Sequence, residues 1–126
     1  MAAALSAAAN TILYLVELAT GAIPWSMLSP GTAFPLNLQR VILVSVAAAV
    51  VGTVAFWAIR RVAGNAIPVF RSVAGLAFIV SLSAPFRISE ATLYQSVAIA
   101  LMHAVAAVSI IWALTIWGET GPGDVV

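Results

Sequence analysis

The chain has 126 residues, of which 63% are hydrophobic and 7% charged. A soluble surface takes about a quarter of its residues charged, so this composition excludes a soluble globular protein and places the chain in a bilayer as one domain-sized unit. All five basic residues are arginine, cysteine is absent, and the net charge is +1. Schiff-base and P-loop lysines, disulfides and thiolate metal sites, and a basic face for nucleic acid are thereby excluded.

A spanning helix needs about 20 mostly apolar residues. The first expected span runs roughly over 5–24. No Lys or Arg precedes it and Glu17 interrupts its apolar run, so it reads as a retained anchor and not as a cleaved signal peptide. Pro24, Pro30, Gly31 and Pro35 mark the first loop. The second span, 41–59, is uncharged and closed by Arg60 and Arg61; Asn65 and Pro68 mark the loop that follows. The third, 68–85, carries Arg71 in its first turn and needs that side chain to snorkel. The fourth, 89–117, takes Ser89 as its N-cap with Glu90 in the first turn. It is longer than a bilayer requires, so it should tilt or project.

Arginine bias sets the expected orientation. Arg60, Arg61 and Arg71 lie on one side, Arg40 and Arg87 on the other. The positive-inside rule puts the second loop in the cytoplasm, and both termini with it. Trp25 then falls at the outer interface, and Trp57, Trp112 and Trp117 near the inner one.

Helices associate in lipid through close packing and interhelical hydrogen bonds, so small residues at helical spacing should mark interfaces. The expected inward faces carry Ser6, Asn10, Glu17 and Gly21 in the first helix, and Ser45, Ala48, Ala49, Gly52 and Ala55 in the second. The third offers Ala74, Ala77, Ser81 and Ala84; the fourth offers Thr92, Ser96, Ala100, His103 and Ala107.

Ionisable groups inside a span are costly and turn inward, pair or carry function. Glu17 lies two helical turns after Asn10, with Tyr14 close to the same face, and His103 lies near the middle of the fourth span. A Glu17–His103 hydrogen bond is therefore expected to join the first and fourth helices. Its plain reading is a structural clasp; a proton or cation site is the functional one. His103 could also act as an axial ligand to a haem or pigment, with Met102 or Met27 as a conceivable second, although the chain has no second histidine. No hydrolase elbow and no His-Glu-x-x-His pair occurs. Arg87 and Glu90 read as a surface ion pair.

The run Ala100-Leu101-Met102-His103-Ala104-Val105, and Ser81-Leu82-Ser83-Ala84-Pro85 before the last helix, resemble an uncharacterised bacterial family of small four-helix membrane proteins, a domain of unknown function. That resemblance implies four helices and assigns no activity. A second, architectural resemblance is to small multidrug-resistance transporters, short four-helix proteins with a membrane-embedded glutamate in the first helix, matched here by Glu17. It implies exchange of protons for lipophilic cations by an antiparallel dimer. The chain departs from that family in its long, proline-rich first loop and in lacking its glycine pattern in the third helix.

The expectation is an all-α integral membrane four-helix bundle. Its leading function is a non-enzymatic component that packs with itself or a larger membrane complex, in contact with lipid and not with nucleic acid. A proton-coupled transporter using Glu17, and a haem- or pigment-binding subunit using His103, are the alternatives. The sequence assigns no cofactor.

Overall fold

A computed structural model describes residues 1–23, 37–87 and 92–119. Four α-helices follow in chain order: α1 (Ala2–Ala19), α2 (Leu38–Val62), α3 (Ala66–Ser81) and α4 (Leu93–Glu119), with one 3-10 turn at Pro85–Arg87. No strand occurs among the described residues. Each helix, α3 together with its following turn, is long and apolar enough to cross a membrane. In hydrocarbon a spanning segment must satisfy its own backbone polar groups, and the helix does so within one segment. The protein is a multi-pass, all-α membrane protein.

The helix ends differ from the expected ones for local reasons. α1 stops at Ala19, and the chain turns through Gly21, whose φ of +76° lies in the left-handed region that glycine adopts without penalty. That turn lets the Ile23 N–H reach the Glu17 carbonyl oxygen at 3.2 Å and buries Ala22 and Ile23 on top of the bundle. α2 begins three residues early because the Asn37 side chain accepts the Arg40 N–H at 2.9 Å. α3 begins at Ala66, before Pro68, which sits in the first turn where its missing N–H costs nothing. It ends at Ser81, whose hydroxyl bonds back to the Phe78 carbonyl oxygen at 2.7 Å.

α4 begins at Leu93, not at Ser89; Ser89 and Glu90 lie outside the described residues. Thr92 and Gln95 form a reciprocal capping box. The Gln95 side-chain oxygen accepts the Thr92 N–H at 2.8 Å, and the Thr92 hydroxyl oxygen accepts the Gln95 N–H at 3.3 Å. One turn later, buried Ser96 donates its hydroxyl to the Pro85 carbonyl oxygen at 3.1 Å, tying the 3-10 turn to α4.

Consecutive helices run antiparallel. α1 lies between α2 and α4, which also touch each other, and α3 packs against α2 and α4 on the far side without reaching α1. Phe70 is the one buried residue of α3; its ring meets Phe56 of α2 edge-on, with centroids 5.0 Å apart. α2 and α4 approach closely at Gly52 of α2. A Cβ placed there would lie 2.9 Å from Ile110 Cγ2 of α4, so only glycine allows this approach. Ala48 and Ala77, expected to face inward, are exposed. Leu43, Val50, Val51 and Val54 cover the outward face of α2, the surface that meets acyl chains.

Candidate functional site

The inner face of α1 is polar along most of its length. Ala2, Ser6, Asn10, Tyr14 and Glu17 follow a step of four or three residues and are all buried between α2 and α4. The rest of the helix is largely alanine and aliphatic, so this face holds most of its polar side chains and is turned away from lipid.

Asn10 Nδ2 donates to Ser45 Oγ of α2 at 2.9 Å, a buried interhelical bond. Asn10 Oδ1, Ser6 Oγ and both Glu17 carboxylate oxygens are buried with no hydrogen-bond partner among the described residues. Between Asn10 and Glu17 sits Tyr14, in an apolar cluster with Ile23, Val41 and Met102. The cluster divides the polar face in two. Ser6, Asn10 and Ser45 lie below it. Glu17 lies above it, under the turn that Gly21 makes.

Glu17 is 5% exposed. Its backbone oxygen accepts from the Thr20 hydroxyl and from the Ile23 N–H, each at 3.2 Å, while its carboxyl group is left without a donor. A carboxyl group so placed can hold a proton or face a cation, because a buried charge without a partner is strongly disfavoured.

The expected hydrogen bond between Glu17 and His103 is not formed. Two causes separate them. His103 donates its Nδ1–H to the Ile99 carbonyl oxygen of its own helix at 2.9 Å. The register does the rest. Tyr14 and Met102 share one cluster, and α1 and α4 are antiparallel. Going from Tyr14 to Glu17 climbs toward Ile99, whereas going from Met102 to His103 descends. Asn10, Tyr14 and Glu17 thus share a face, and His103 stands apart from them, half-buried on α4. Its Nε2 is the ring atom left for a ligand.

Ser45 is the contact that sequence reasoning did not single out. One serine among the small residues of a helix carries no sign that it meets Asn10. The Thr92-x-x-Gln95 capping box did have a readable signature. Among the described residues, no three His, Asp or Glu side chains come together to hold a metal ion.

No curated protein and no solved structure matches this chain. The resemblance noted on the Ala100–Val105 run is upheld over almost the whole length: a family model matches residues 1–118, and the chain belongs to that family of unknown function (DUF6069).

Proposed function

We propose that this protein is a non-enzymatic membrane component that assembles with a second copy or a larger membrane complex, with its termini and its Arg60–Arg71 end in the cytoplasm. The supporting observation is the position of α3. It buries Phe70 alone and does not reach α1, while Val69, Val73, Leu76 and Val80 remain open. Helix association in lipid depends on packing surface, and a lateral neighbour supplies to α3 the packing that its own bundle does not. Single-molecule counting in lipid nanodiscs tests this: two or more copies, or one copy with a stoichiometric partner, are expected. A lone chain at every protein-to-lipid ratio, with no cross-link from Cys at Ala77, would reject it.

A second reading is proton-coupled transport of a small molecule or cation through Glu17. It is favoured by the unpartnered, buried carboxyl group on the inner face of α1. In liposomes carrying a pH gradient, Glu17→Gln should leave the protein folded and abolish flux, because the amide keeps the shape and loses the titrating group. Equal flux from the variant would remove Glu17 from the coupling.

A further inference from the structure

At the end of the bundle opposite Glu17, an open groove of about 430 Å³ lies between α1, α2 and α4. Small-ligand pockets span roughly 300–1,000 Å³, so the groove is large enough for part of a ligand. Its floor is apolar and buried, formed by Ala2, Ala49 and Ala113 with the Phe56 ring; Val50, Thr53 and Val54 of α2 form its exposed flank, and Arg60 stands at its edge. The Arg60 guanidinium lies 5.8 Å from the centre of the Phe56 ring, which aligns the cation with the apolar wall.

This end of the bundle carries exposed positive charge. Arg60, Arg61 and Arg71 are all exposed here. Glu17 is the one carboxylate among the described side chains, and it lies at the far end of α1. Arg61 stacks on Trp57, 3.7 Å from the ring centre, a pair suited to the membrane interface. Arg71 follows Phe70, whose ring packs on Phe56. The ligand that fits combines one anionic group with an aliphatic chain, and both must be available at the depth where α2 leaves the bilayer.

We propose that this groove binds one anionic phospholipid, its phosphate on the Arg60 guanidinium and an acyl chain along Val50, Thr53 and Val54. Guanidinium and phosphate match in charge and in planar, two-point hydrogen-bonding geometry. Basic pockets between spanning helices are suited to such headgroups. The apolar flank separates this site from one for free phosphate, because an acyl chain can pack against it by dispersion contacts and a small anion cannot.

The test uses the full chain in nanodiscs of dioleoylphosphatidylcholine containing dioleoylphosphatidylglycerol, followed by detergent extraction and native mass spectrometry. The protein should retain one phosphatidylglycerol in preference to phosphatidylcholine. Arg60→Gln should lower that preference about fivefold, the factor one arginine contributes near an anionic surface, and Arg60→Lys, which keeps the charge and loses the planar fork, should fall between Arg60→Gln and the parent. Thr53→Phe, which fills the groove wall and keeps Arg60, should also lose the bound lipid, and Arg87→Gln at the opposite end should not. Circular dichroism melts establish that each variant is folded. Unchanged phosphatidylglycerol retention in folded Arg60→Gln, or in folded Thr53→Phe, would overturn the proposal. Displacement of the lipid by glycerol phosphate at equal concentration would overturn it too, since the acyl chain would then contribute nothing.

Discussion

Gly52→Ala is the sharpest probe of the α2–α4 crossing. The added Cβ meets Ile110 Cγ2 at 2.9 Å and Leu114 Cδ1 at 3.7 Å. The second distance is ordinary contact; the first is not. Cγ2 is attached directly to the Cβ of a β-branched residue, and Ile110 is 7% exposed, so it cannot swing aside as a flexible chain end would. Overpacking of this kind costs about 1–3 kcal/mol. Replacing glycine by alanine within a helix returns about 1 kcal/mol of propensity. The net expectation is a loss of up to about 2 kcal/mol, and Gly52→Leu should cost more because its branches also enter the crossing. Gly75 of α3 is the control: a Cβ there has nothing within 4 Å, so Gly75→Ala keeps the propensity gain without the clash. The assay is thermal or SDS unfolding in detergent, followed by circular dichroism. Ile110→Leu removes Cγ2 and should rescue Gly52→Ala in a double-mutant cycle. If Gly52→Ala melts at or above the parent, as Gly75→Ala should, the close approach is absent and the packing argument fails.

Asn10→Ala and Ser45→Ala should each weaken the bundle, and a double-mutant cycle should give a coupling of about 0.6 kcal/mol, the average for hydrogen bonds between membrane helices; zero coupling would mean that the two side chains do not meet. Thr92→Ala should cost about 1 kcal/mol through loss of the α4 cap, seen as faster amide exchange over 93–96, and unaltered exchange there would contradict the capping box. The chain has no cysteine, so Asn65→Cys reports topology cleanly: it should resist a membrane-impermeant thiol reagent in intact cells and react after lysis, and rapid labelling in intact cells would invert the orientation.

Four helices were legible in the residues alone because a bilayer leaves the backbone little choice. Apolar stretches of sufficient length must become helices, and Asn65 with Pro68 stands at the start of α3 while Pro85 follows its end. That Glu17 turns inward with Asn10 and Tyr14 was equally legible, from helical spacing and the cost of charge in hydrocarbon. Which apolar face packs and which meets lipid was not. Ala48 and Ala49 are adjacent and chemically identical, yet Ala48 is exposed and Ala49 is buried, because lipid and protein interior are equally apolar and leave no amphipathic pattern to read. The partner of each polar group also depends on the relative height of two helices. The cluster of Tyr14 with Met102 sets that height for α1 and α4, and the bond from Asn10 to Ser45 marks it for α1 and α2. Those contacts arise from the packing of whole helices, so only the tertiary structure decided that Asn10 finds Ser45 while Glu17 and His103 stay apart.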